Sequence, residues 1–90
     1  MKVYGIKLWK VKSCVYEVWS VDRYGNFLRP IGEVGKYSEL CKYDGFYVDF
    51  LVFQGVGNWQ WVFYSLYYKI HVFDDYISAF RHARSLGSGA

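Results

Sequence analysis

Residues 46–73 read FYVDFLVFQGVGNWQWVFYSLYYKIHVF. They hold about half of the chain's aromatic residues, and Asp49 and Lys69 are the only charges among them. Gly55-Val56-Gly57-Asn58 interrupts the run with turn-forming residues. The pattern predicts a long β-hairpin, with a first arm over 46–53, a turn at 55–58 and a second arm over 59–73. In the second arm Val62, Tyr64, Leu66, Tyr68, Ile70 and Val72 are an unbroken apolar series. Their spacing of two puts them on one face of a strand, the expected core face. An arm of this length exceeds the usual strand of about 3–10 residues, so a bend is expected near Ser65.

The same stretch raises a membrane reading, because Phe50 to Tyr68 carries no charge. Gln54, Gly55, Gly57, Asn58 and Gln60 would then lie at the bilayer centre with backbone groups unsatisfied. A hairpin outside the membrane is the expectation.

Upstream, Val3 to Val11 alternates as a strand, with Tyr4, Ile6 and Leu8 on one face and Val3, Lys7, Trp9 and Val11 on the other. Cys14 to Val21 is a second strand, rich in Val, Tyr and Trp. No Gly, Pro or Asn marks a turn at Lys12-Ser13, so one long bent strand is the alternative. Val21 to Leu28 reads as strand, turn, strand, with Asp22 capping the turn and Gly25 supplying positive φ. Pro30 lacks an N–H and should end the return strand or hold it at an edge. Residues 30–45, punctuated by Gly32, Gly35 and Gly45, read as a long loop with one helical turn at Ser38 to Lys42.

Downstream, Asp74 is the expected N-cap of a helix carrying Tyr76, Ile77, Phe80 and Ala83 at spacings of three and four. Arg81, His82 and Arg84 lie toward its C-terminus, where the helix dipole favours positive charge, and Gly87 follows as a C-cap. The expected architecture is one α+β domain over 1–86. A curved antiparallel sheet of four to five strands has one C-terminal helix packed across it, and 87–90 form a flexible tail.

The chain has 90 residues, 53% hydrophobic and 23% aromatic. Domains of this size are marginal unless the core is rich, and aromatic side chains burying about 150–250 Å² each supply that richness. Cys14 and Cys41 form no paired-cysteine motif and have no histidine at ligand spacing, so no metal is expected. Two ordinary thiols in a reducing cytoplasm is the simplest reading, with a single disulfide as the alternative. No secretory leader is recognisable.

The formal net charge is +3. Lys2, Lys7, Lys10 and Lys12 make the first twelve residues basic, Arg81 and Arg84 make the C-terminal end basic, and the middle is mildly acidic. No phosphate-binding loop, nucleophile elbow or metalloprotease motif is present, so neither an enzyme nor a cofactor is expected. Asp49, opposite Tyr64 in the predicted hairpin, is a structural acceptor for its hydroxyl. His71 faces solvent at a strand end, and His82 is a polar helix residue.

Two binding classes follow. In the first, Lys7, Lys10, Lys12, Arg81 and Arg84 take nucleic-acid phosphates while Trp9 and other exposed rings stack on bases. In the second, Trp61, Phe63, Tyr67 and Lys69, or the 30–45 loop, contact a protein partner. Such a molecule would be a small accessory or inhibitor protein of the sort mobile elements encode. Both faces of the hairpin are apolar, and a single helix covers one. A bare second face would expose on the order of 600–1000 Å², against about 300–600 Å² for the largest patch on an ordinary monomer. That face is therefore expected to be covered, by the N-terminal strands curling over it into a small barrel or by another molecule, a homodimer included.

Overall fold

The computed structural model describes residues 5–45, 48, 55–65 and 69–86. Among these, five strands form one antiparallel sheet in sequence order: β1 Gly5–Lys12, β2 Val15–Val21, β3 Phe27–Lys36, β4 Trp61–Ser65 and β5 Ile70–Phe73. Helix α1, Tyr37–Asp44, follows β3, and helix α2, Tyr76–Ser85, follows β5. The sheet is open rather than barrel-like, and α2 packs against it. The α+β class and the C-terminal helix are as expected from sequence.

The first two strands do turn at Ser13-Cys14, with Cys14 at φ +62° in place of a glycine. One unpaired residue, Val11, bulges from β1 just before this turn. The Asp22 turn also forms: Asp22 Oδ1 accepts the backbone N–H groups of Tyr24 and Asn26, each at 2.9 Å. Gly25 takes φ +83° there.

The 30–45 loop is a correction. Its first part belongs to β3, the central strand, and its second part is α1. Gly32 and Gly35 mark close backbone approach, not a loop. A Cβ on Gly32 would stand 2.5 Å from the Tyr64 carbonyl oxygen, and one on Gly35 would stand 2.6 Å from that of Cys14. Pro30 is accommodated because β4 pairs with β3 only over Gly32–Lys36. On the β4 side the Pro30 half of the strand is an edge, and the neighbouring Ile31 is an unpaired bulge against β2. The proline rule holds locally while the strand continues.

The long second arm is also corrected. It breaks after Ser65 and folds back, so that β4 and β5 pair with Val62 opposite Val72 and Phe63 opposite His71. The Ser65 N–H donates to the Lys69 carbonyl at 2.9 Å across the return. The first arm falls mostly outside the described residues. Val48, the described residue within it, is helical rather than extended, and buried. Tyr64 therefore has Glu33 and Ile70 as its sheet neighbours, not Asp49, which lies outside the described residues.

Each face of the sheet has its own core. Val15, Val62 and Tyr64 meet Leu40 of α1 and Val48 on one face. Val18, Val34 and Phe63 meet Ala79 and Ala83 of α2 on the other, the small alanines letting the helix sit close. The even series of β4 is thus core, but α1 covers it, and the C-terminal helix covers the odd face. The N-terminal strands extend the sheet edge to edge and cover neither face.

Local chemistry explains the helices. Asp75, one residue beyond the expected cap, accepts the Ser78 N–H at 2.7 Å and starts α2. Asp74 instead accepts from Gln60 Nε2 at 3.0 Å. Helix α1 has no capping side chain. The N–H groups of Tyr37 and Ser38 donate to the carbonyls of Gln60 and Asn58, at 2.8 and 3.3 Å. Gly45 at φ +57° closes its C-terminus. Cys14 and Cys41 are not joined in a disulfide, and both are partly buried.

Candidate functional site

Helix α2 presents Tyr76, Ile77, Phe80, Arg81 and Arg84 along one groove of about 270 Å³. The spacings of three and four place these side chains side by side. Tyr76 and Ile77 are each about half exposed. Rings from the sheet continue the surface: Trp61 meets Phe80 edge-on at 5.7 Å and Tyr76 at 6.0 Å, and Tyr16 meets Phe80 at 4.9 Å. The Arg84 guanidinium lies 5.8 Å from the centre of the Phe80 ring. Lys10 pairs with Tyr16 across β1 and β2, so it shares this side of the sheet, and it is exposed. Asp75, the N-cap of the same helix, lies within electrostatic reach of Arg81. Its cap hydrogen bond to Ser78 first, and the Arg81 charge last, hold its carboxyl below the ordinary value.

The structure divides the sequence-derived residues. Lys10, Arg81 and Arg84 gather on the α2 side with Trp61. Lys7 and Trp9 lie on the opposite face, where Lys7 Nζ donates to the Gly25 carbonyl at 3.4 Å. Lys12 is ion-paired with Glu39 of α1 at 3.3 Å. Phe63 is buried beneath α2 at 2% exposure, so the chain itself occupies its surface. Lys69 is exposed beside the β4–β5 return, and Tyr67 lies outside the described residues.

His71 and His82 come together at the seam between β5 and α2, ring centres 4.3 Å apart, against Phe63 and Phe73. Burial first, and the neighbouring His71 second, push the His82 pKa down. No cluster of three metal-ligating side chains exists among the described residues.

A second feature was not visible in the sequence. Trp9, Glu17, Glu33 and Tyr64 are successive partners across β1 to β4, one row on the α1 side of the sheet. Glu17, Glu33, Tyr43 and Asp44 line a cleft of about 430 Å³ with Pro30 and Gly32. The Tyr64 hydroxyl donates to Glu33 Oε1, and no donor among the described residues reaches the buried Oε2. The Tyr43 hydroxyl donates to Glu17 at 3.4 Å, and so does the Trp19 indole N–H at 3.1 Å. Burial, then Asp44 and then Glu17 raise the Glu33 pKa to about 8. Reading 30–45 as a loop concealed this row; the alternation Val15-Glu17-Trp19 was the one available signal.

No helix among the described residues is long and apolar enough to cross a membrane. Comparison with protein-family models, curated proteins and solved structures finds no match to this chain.

Proposed function

We propose that the protein is a non-catalytic binding module for single-stranded nucleic acid, with the α2 groove as its binding surface. One observation carries this reading: the exposed Tyr76 ring, the half-buried Phe80 ring and two arginines line a single groove on one helix face. Bases stack on Tyr76 and on the Phe80–Trp61 edge, a contact worth about 1–3 kcal/mol per base and tolerant of sequence. Arg81, Arg84 and Lys10 take the phosphates. The requirement for unstacked bases favours single strands, since duplex bases do not present their faces. Lys7, Trp9 and Lys12 have no part in this reading, because they lie on the other face or are already paired.

Fluorescence anisotropy with labelled single-stranded DNA and RNA oligonucleotides, at several salt concentrations, tests it. Three neutralised phosphates predict a log–log salt slope of about −2, from about −0.7 per phosphate on single strands. Arg84→Ala should shallow that slope by about 0.7, and Tyr76→Ala should weaken binding while leaving the slope unchanged. Absence of binding at tens of micromolar protein and low salt would discard the reading.

A further inference from the structure

On the side of the sheet that α1 packs against, an aromatic row remains open to solvent. Trp19 and Phe27 stack at 5.3 Å, and Trp9 meets Phe27 edge-on at 5.7 Å. Trp9 is 55% exposed and Phe27 39%. The row runs directly into the carboxyl-lined cleft, because Trp9 is the cross-strand neighbour of Glu17 and Glu17 that of Glu33. Among the described residues none of Glu17, Glu33 and Asp44 has a basic partner at ion-pair distance; the ion pairs nearby join Lys12 and Lys42 to Glu39. Like charges set directly opposite on neighbouring strands are destabilising. This cleft therefore gathers three carboxyl groups that no basic side chain among the described residues compensates. Lys7 stands at the far end of the aromatic row, 5.9 Å from the centre of the Phe27 ring.

We propose that this face docks a basic segment of a partner protein, with a Lys or Arg side chain entering the cleft between Glu17, Glu33 and Asp44 and its neighbours lying on the Trp9–Phe27–Trp19 row. Charge complementarity selects the occupant. The carboxyl groups repel a phosphate backbone, so nucleic acid does not fit here. The described carboxyl groups do not form a metal-ligand cluster, so a bare cation is not the match either. A long cationic side chain meets both halves of the surface, because its apolar stem packs on rings while its head reaches the carboxylates. Tyr43 and Tyr64 hold the Glu17 and Glu33 carboxyls in place from below and beside the cleft.

The docked cation competes with a proton. With Glu33 raised to about 8 by its surroundings, binding at neutral pH displaces that proton. Affinity should then rise with pH, approaching tenfold per unit below the raised pKa. The surface lies across the sheet from the α2 groove and stands or falls independently of the nucleic-acid reading.

The test uses the full chain and a capped nonapeptide of alternating Arg and Val, with a Glu/Val nonapeptide as control. Calorimetry and quenching of tryptophan fluorescence report binding. The protein carries +3 overall, so its net charge repels the basic peptide and any binding reads a local surface. The expected result is binding of the Arg peptide alone, strengthening from pH 6.5 to 8.5 and accompanied by proton release. Glu17→Gln with Asp44→Asn should weaken it about tenfold or more, the order expected for removing partners of a desolvated charge. Trp9→Ser, at an exposed position, should weaken it without loss of fold. Equal affinity for both peptides would overturn the proposal, as would retention of binding in both variants or displacement of the peptide by single-stranded RNA.

Discussion

Glu33 sits in the middle of the sheet, under Tyr64 and between two other carboxyl groups, and its pKa of about 8 leaves it protonated at neutral pH. The folded state holds that proton more tightly than the unfolded chain, whose value is 4.5. Its contribution to stability is therefore complete below 4.5 and disappears as pH rises through about 8. Thermal melting should show Tm rising as pH falls from 9 toward 6. Glu33→Gln keeps an acceptor for Tyr64 and cannot ionise, so its Tm should exceed that of the wild type most at pH 9, with the difference shrinking as pH falls toward 4.5. The glycines of β3 are the second residue-scale constraint. Because the crowding atoms at Gly32 and Gly35 are backbone, neither can swing aside. Gly35→Ala should cost about 1–3 kcal/mol in urea unfolding, the range for overpacking. Neither residue was legible from sequence in this role. A glycine that relieves crowding and one that opens a loop look the same until the neighbouring strand is known.

At the scale of elements, the two helices differ in how they are specified. Helix α2 carries its own signals in order: a capping Asp75, apolar residues at three and four, and Arg84 and His82 in its last turn. It was readable within one residue. Helix α1 begins after Lys36 with no side-chain cap, and its first N–H groups are satisfied by carbonyls from Asn58 and Gln60. That cap is distant in sequence, so the helix was foreseen only as a single turn. Its attachment to the sheet rests on Leu40, which is fully buried. Leu40→Ala should lower unfolding free energy by about 2–5 kcal/mol, as large-to-small core changes do. Chemical denaturation with a circular-dichroism readout checks this. The β4–β5 hairpin shows a related limit. Period-two alternation ran unbroken through the return, since Val62 and Val72 are cross-strand partners on the same face. A bend near Ser65 was foreseen; its sharpness was not.

Over the whole molecule, pH acts on opposite faces in opposite senses. His82, on the α2 side, has its pKa lowered from 6.5 by burial and by His71. It contributes stability present above 6.5 and lost as pH falls below it. Glu33, on the α1 side, gains stability over the same descent. Asp22, Glu39 and Asp75 are all held below their ordinary values and withdraw stability at still lower pH. The Tm profile should climb from pH 9 to about pH 6.5, flatten, and fall below about pH 4 as those carboxylates protonate. His82→Gln should remove the flattening and let the climb continue. A flat profile from pH 9 to pH 5 would refute both assignments.

The sequence by itself determined the strand-rich body, the Asp22 turn, the C-terminal helix and the need to cover both faces of an apolar sheet. Those features rest on interactions between residues a few positions apart: alternation, caps and turn conformers. Tertiary structure alone decided that α1 covers one face and α2 the other. It also decided that residues 30–36 lie in the central strand, and that Glu17, Glu33 and Asp44 meet beside Trp9. Those outcomes depend on register and on backbone groups supplied from distant segments. A one-residue change of register reverses which side chains face the core, and nothing in a local window records it. The aromatic stretch supplies β4 and β5 at one side of the sheet rather than the centre that its composition suggested; β3 is central, and packing set the partner of each face.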